Sequence, residues 1–266
     1  MSGKQLFAVL DTETTGLEGG TRAVELSAII FDEEGPISFF ETLVNPGMPI
    51  PADVVAIHGI TDDMVKDAPA TTDALLDLWR FIPSDAILVA HNAPYDTGII
   101  SWDSARVGIE VPPFQIIDTC ALAKSIGATK NNKLETLIAH YGIERVGDAH
   151  RALSDAHGCM DYFIKVWDVA TKMGAPLPWY AAGHNYAYFD VTQIPEVSFL
   201  PSLVADGAPF SFVYEDDKGA RTERTILPYG WAKKYDNHHF HGLCDMRKER
   251  RTFRADRIIE VLSKTA

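Results

Sequence analysis

Asp11 and Glu13 stand one residue apart, where the apolar run Leu6-Phe-Ala-Val-Leu10 gives way to Thr14-Thr15-Gly16. In a β-strand, residues i and i+2 share a face, so the two carboxylates project side by side. Anions held that close repel each other, and a proton or a cation between them relieves the repulsion. Another acid closes the stretch His91-Asn92-Ala-Pro-Tyr-Asp96, which follows a short apolar run and opens a helical pattern. A third stretch, His150-Arg-Ala-Leu-Ser-Asp155, sets a histidine five residues before an acid at the start of a long helical pattern. Taken singly, Asp96 and Asp155 also read as first-turn acids favoured by the helix dipole. Together the three stretches supply four carboxylates and an imidazole at strand ends and helix starts, where a shared cleft can form. Hard oxygen donors of this kind suit Mg²⁺ or Mn²⁺. An imidazole titrating near neutrality suits a proton acceptor.

The elements that must position these groups follow from periodicity. Strands are predicted over 7–10, 24–31, 39–44, 86–90 and 115–118. Helices are predicted from Pro51 to about His58-Gly59, over 72–81, from Pro94 through Trp102, over 133–141 and over 151–172. Three strands in sequence, then strands alternating with helices, make an α/β sheet. Met173-Gly-Ala-Pro176-Leu-Pro178 ends the last helix, and a linker is expected over 176–186, between domains at 1–175 and 187–266. The aromatics Trp179, Tyr180, Tyr186, Tyr188 and Phe189 read first as inter-domain packing and second as base-stacking surfaces. Beyond them the pattern is β, with a hairpin around Asp216-Asp-Lys-Gly219 between 210–214 and 221–227, then strands near 240–244, 251–254 and 256–262.

With 266 residues, 46% of them apolar, the chain can bury a sizeable core. No apolar run is long enough to span a bilayer, and Met1-Ser-Gly-Lys-Gln5 lacks the layout of a signal peptide. Cys120, Cys159 and Cys244 are odd in number and widely spaced, which fits reduced thiols in a cytoplasmic protein. Net charge is −13. Residues 1–180 hold 12 Lys/Arg against 25 Asp/Glu, whereas 181–266 hold 12 of each. A surface that acidic disfavours nucleic acid unless metal neutralises some of its carboxylates. The tail concentrates Arg247, Lys248, Arg250, Arg251, Arg254 and Arg257.

The ordered set Asp-Thr-Glu-Thr-Thr-Gly, His-Asn-Ala-x-x-Asp and His-Arg-Ala-Leu-x-Asp-Ala resembles the DEDDh branch of the DnaQ-like 3′–5′ exonucleases over about residues 5–170. Its first motif is most similar to that of the proofreading subunit of bacterial DNA polymerase III. The resemblance implies a ribonuclease H-like fold, a mixed five-stranded sheet with flanking helices. It implies that Asp11, Glu13, Asp96 and Asp155 hold two Mg²⁺ or Mn²⁺ ions and that His150 is the general base. It further implies that Thr14, Thr15, Gly16, His58, Asp53 and Asn92 border the substrate nucleotide. Tyr95 stands where Phe is commoner in the family. In the tail, Arg224-Thr-Ile-Leu-Pro228 and 251–258 resemble the ends of a WYL-type domain, a small Sm-like β-barrel, with His239-Phe-His241 in place of Trp-Tyr-Leu. That likeness makes Arg251, Arg254 and Arg257 candidate phosphate contacts, against a second reading as a solvated basic face. The function expected from the resemblance is a metal-dependent exonuclease acting on single-stranded DNA or the 3′ ends of duplex DNA. An exoribonuclease is the alternative enzyme, and an inactive nucleic-acid-binding or ligand-sensing regulator the alternative class.

Overall fold

The computed structural model describes residues 5–16, 21–112, 114–172, 179–181, 191–234 and 237–264. The chain divides into two compact units. One is Met1–Thr15, Ala23–Ile100 and Pro112–His184; the other is Gly16–Arg22, Ser101–Val111 and Asn185–Ala266. The second unit thus draws two segments from inside the front half, which a boundary at 175–187 does not anticipate. One reason is Ala105, which lies in the same buried cluster as Phe210, Phe212 and Phe240.

The first unit is built on a six-stranded mixed sheet. Its strands are β1 (Phe7–Thr14), β2 (Ala23–Asp32), β3 (Gly35–Leu43), β4 (Ile87–Ala90), β5 (Gln115–Asp118) and β6 (Trp179–Ala181), in the order β3-β2-β1-β4-β5-β6. β1 pairs antiparallel with β2 and parallel with β4, and β4 pairs parallel with β5. The five expected strands are all present, with β1 and β3 longer than their apolar runs. β6 is the addition: it pairs antiparallel with β5 within the stretch expected to be linker. Three residues are too few for a periodic signal, and only the waiting edge of β5 makes them a strand. The rest of 176–186 lies outside the described residues, as do Tyr186, Tyr188 and Phe189 and the side chains of Trp179 and Tyr180.

Helices α1 (Ala52–His58), α2 (Asp62–Val65), α3 (Thr71–Phe81), α4 (Ala93–Val107), α5 (Thr119–Ile126), α6 (Leu134–Tyr141) and α7 (Ala152–Lys172) complete the front half. α5 was not legible in the sequence; its start is set by Asp118, whose carboxylate caps the Cys120 amide at 2.9 Å. The long α7 lies across β1 and β2. Its Cys159, Met160, Phe163 and Val166 join Phe7, Val9, Ile29, Phe31 and Ile117 in one buried cluster. Phe7, Phe31, Phe163 and Trp167 meet ring to ring there, with centroids 4.9–5.9 Å apart. Among the described residues no helix is long and apolar enough to cross a membrane, and the three cysteines are free.

The second unit holds α8 (Leu200–Asp206) and an antiparallel five-stranded sheet of β7 (Phe210–Glu215), β8 (Arg221–Lys234), β9 (Asn237–Cys244), β10 (Glu249–Arg254) and β11 (Ile258–Lys264), in the order β10-β9-β8-β7-β11. This is the expected C-terminal β domain. Pro228, which lacks an amide hydrogen, sits where the β8–β9 register shifts. Phe210, Phe212, Phe240 and Phe253 form its core, stacked, tilted or edge-on at 4.9–5.8 Å. Gly242 of β9 lets Ile226 and Leu227 of β8 pack close against it: a Cβ there would stand 2.6 Å from Ile226 Cδ1 and 3.0 Å from both Ile226 Cβ and the Leu227 carbonyl oxygen. Gly242→Ala is therefore expected to destabilise the protein by about 1–3 kcal/mol through overpacking. A lowered thermal midpoint would show it, and an unchanged melting curve would contradict the contact.

Candidate active site

The pleat of β1 puts Phe7, Val9, Asp11 and Glu13 on one face. Phe7 and Val9 belong to the cluster that α7 covers, so the two acids continue that row on the α7 side. Asp155 lies in the first turn of α7, next to the buried Ala156. Asp11, Glu13 and Asp155 each offer an oxygen, and the three oxygens lie within 4.8 Å of one another. Because β4 runs parallel to β1, α4 starts at the same end of the sheet. That brings Asp96, only 3% exposed, to the Thr12 hydroxyl, which donates to its Oδ1 at 2.8 Å.

Packing anions together out of water has the expected electrostatic result. Burial raises Asp11 well above the ordinary carboxylate range, helped by the charges of Asp96, Asp155, Glu13 and Glu25. Glu13 is pushed up to about 8, first by burial and then by Asp155, Glu25 and Asp96, with Arg151 pulling the other way. Asp96 is raised to about 7 by burial, against the Thr12 hydrogen bond that lowers it. Carboxylates so reluctant to ionise together are a place for a cation: hard oxygen donors converge, and a divalent ion would remove their mutual repulsion. The residues present fit such an ion.

Several supports hold the cluster, and most were not legible in the sequence. Glu25 of β2 is fully buried opposite Glu13 in the ladder. Both its oxygens accept from the Arg151 guanidinium, and its Oε2 also accepts the Ala152 amide at 2.9 Å, at the start of α7. That anchors the helix that carries Asp155. The one signal in the sequence was an acid inside the otherwise uncharged run Ala-Val-Glu-Leu-Ser-Ala-Ile-Ile. Arg145, from the loop before α7, donates to Asp155 Oδ1 at 2.6 Å and to Ser154 Oγ at 2.9 Å, and pairs with Glu135 as well. Tyr95, the residue that departs from the commoner Phe, uses its hydroxyl to meet Thr14 Oγ1 at 2.7 Å.

The remaining predicted residues are placed as follows. His150 is exposed, with φ +59°, a left-handed backbone that costs a non-glycine residue roughly 1–3 kcal/mol. It lies near enough to His58 for its charge to act there. His58 is buried with both ring nitrogens engaged: Nδ1 accepts the Ile60 amide at 3.0 Å, so Nε2–H donates to the Thr14 carbonyl at 3.2 Å. Burial lowers its pKa, which favours the neutral ring. Its position is that of a brace for the Thr14 backbone. Thr14 and Thr15 are buried, and Gly16 has φ +149°, open to glycine and strained for other residues. Asn92, also left-handed at φ +63°, is exposed, and its amide donates to Asp118 Oδ1 at 2.9 Å. Asp53 is exposed in the first turn of α1 and is not one of the three converging acids. In the second unit, Arg251 pairs with Glu249 at 3.0 Å and Arg254 grips both oxygens of Asp256 at 2.9 and 2.7 Å. Two of the three candidate phosphate contacts are thus matched by acids two residues away on their own chain, which weakens the field they offer a phosphate.

Comparison with known proteins agrees with this geometry. Residues 8–163 match the family model described as Exonuclease, and residues 202–262 match the WYL domain. DNA polymerase III subunit epsilon of Treponema pallidum (strain Nichols) is 37% identical over 161 residues, 59% of this chain and 74% of that one. DNA polymerase III PolC-type of Caldanaerobacter subterraneus subsp. tengcongensis is 34% identical over 170 residues, 63% of this chain but 12% of that much longer protein. Among solved structures, Exonuclease X in complex with 5′ overhanging duplex DNA superposes with a TM-score of 0.53 at 25% identity, covering 62% of this chain and 93% of that one.

The raised carboxylates set the pH dependence of stability. Glu13 moves from 4.5 to about 8 and Asp96 from 3.8 to about 7, so across that window the native state keeps protons that the unfolded chain has released. In the metal-free protein these two groups are therefore expected to contribute stability that is fully present below the ordinary carboxylate values and lost as pH rises through the folded ones. Adding Mn²⁺ should restore it most at the alkaline end, because cation and proton compete for the same oxygens. Melting temperatures in chelator and in Mn²⁺ across this range provide the check. A metal increment equal at all pH values would contradict the coupling.

Proposed function

The chain belongs to the exonuclease family, and from that premise we propose a metal-dependent 3′–5′ exonuclease of the DEDDh type that removes nucleoside monophosphates from DNA 3′ ends. The observation that carries the reading is the convergence of Asp11, Glu13 and Asp155 within 4.8 Å, beside the buried Asp96. DNA is favoured over RNA by the polymerase III relatives and by the DNA-bound Exonuclease X. The intact set of acids and histidine argues against a regulator that has lost activity.

In this reading Asp11, Glu13, Asp96 and Asp155 hold two Mg²⁺ or Mn²⁺ ions. Such ions supply the charge that stabilises the attacking and leaving oxygens of a phosphodiester. His150 takes the proton from the attacking water, and its exposed position next to Asp155's helix leaves the imidazole free to reach it. The water oxygen bonds to phosphorus as the P–O3′ bond breaks, the departing O3′ takes a proton from solvent, and a nucleoside 5′-monophosphate leaves a shortened strand that ends in a 3′-hydroxyl. Thr14, Thr15 and Asn92 border the terminal nucleotide. His58 acts one step back, holding the Thr14 carbonyl through a proton fixed on Nε2.

Asp11→Asn is expected to abolish release of mononucleotides from 3′ ends in Mg²⁺. His150→Ala should lower turnover by roughly 10²–10⁴-fold while keeping the Mn²⁺-induced rise in melting temperature. End-labelled single-stranded DNA, duplex DNA and RNA of one sequence decide the substrate. Near-parental turnover in both variants would overturn the site, and faster digestion of RNA would overturn the DNA preference.

A further inference from the structure

A second cleft lies beside the carboxylates, between the start of α4 and the facing parts of α5 and α6. It encloses about 460 Å³, and Asn92, Lys124, Asn132 and Lys133 line it with His91. Resting on the exonuclease reading, we propose that this cleft binds the phosphodiester backbone of the strand whose 3′ end occupies the carboxylate site, with Lys124 and Lys133 as its phosphate contacts.

The distribution of charge points there. The first unit is strongly acidic, and four of its described cations are already matched by acids: Lys66 by Asp63, Arg80 by Asp77, Arg145 by Asp155 and Glu135, and Arg151 by Glu25. Among the described residues, Lys124 and Lys133 are in no ion pair, nor is Lys130 in the loop that joins their helices. Lys165, on the exposed face of α7, is the other such cation among the described residues of this unit. Two of these four unpaired cations thus line one cleft of a unit whose composition is strongly acidic.

The walls of the cleft are fixed to the catalytic elements. His91 has Nε2–H donating to the Asn132 carbonyl at 2.8 Å, and its Nδ1 meets the Thr119 hydroxyl at 2.9 Å. The ring is thereby a rigid strut between the end of β4 and the loop before α6, and it lies close enough to Asp155 to feel its charge. Asp118 Oδ1 accepts both the Asn92 and the Cys120 amides at 2.9 Å, joining the turn before Asp96 to the start of α5. A strand lying here reaches the acids by way of Asn92, one helical turn before Asp96.

The test separates this cleft from the hydrolytic site. In chelator, anisotropy of a labelled oligothymidylate reports binding without turnover, and the salt slope counts phosphate contacts. Replacing Lys124 and Lys133 together by Ala should lower the slope by about 1.4, at about 0.7 per contact for single strands, and weaken binding at low salt by about tenfold or more. The double Lys→Arg variant should keep the slope, which excludes a folding defect. Hydrolysis of the p-nitrophenyl ester of thymidine monophosphate in Mn²⁺, a substrate too short to reach the cleft, should be unchanged in the Ala variant. Equal slopes in parent and Ala variant would overturn the proposal. A parent that leaves the ester intact would overturn the exonuclease reading, while the binding data would still decide the cleft.

Discussion

Mutual repulsion among closely packed carboxylates is the constraint on which the rest of the first unit depends. Asp11, Glu13, Asp96 and Asp155 come from three different elements, and the charges of Asp96 and Asp155 raise the cost of ionising Asp11 and Glu13. Nothing in a strand or helix taken alone holds them together. The hydrophobic cluster under α7 does, since Phe7 and Val9 precede the acids in the same pleat row and α7 is pressed on that row by Phe163 and its neighbours. Apolar burial, worth about 1.5–3 kcal/mol for each large side chain, opposes the electrostatic cost. A divalent cation would remove that cost, which is why the folded site is primed for one.

The positions of the acids are controlled from behind. Glu25 and Arg151 pair across 126 residues of sequence through both carboxylate oxygens, and one of these also accepts the first amide of α7. The same logic recurs at Asp118, which caps α5 and holds the Asn92 turn, and at His58, which holds the Thr14 carbonyl. In each case a buried polar group serves two backbone or side-chain partners, so moving one motif moves another. Arg145 occupies one oxygen of Asp155 and tempers the repulsion on that side without entering the row of acids.

The second unit obeys a different rule. Its core is aromatic and apolar, and its basic strands carry their own counter-charges at Glu249 and Asp256. A count of arginines therefore overstates what such a surface offers to phosphate. In the first unit the reverse holds, because an overall acidic composition conceals a cleft lined by unpaired lysines.

The local chemistry was legible in the residues alone. A two-residue spacing at a strand end puts Asp11 and Glu13 on one face, and helix starts at 93 and 152 put Asp96 and Asp155 in first turns. Those are short-range consequences of backbone period, as are the element order and the β character of the tail. Tertiary structure decided what surrounds those groups. It paired Glu25 with Arg151 and Arg145 with Asp155, made a strand of Trp179–Ala181 by offering the edge of β5, and grouped residues 101–111 with the second unit. It also left Lys124 and Lys133 unpaired. Partners in three dimensions are chosen by which faces the hydrophobic core brings together, and contacts between residues so far apart in the chain leave no periodic trace in it.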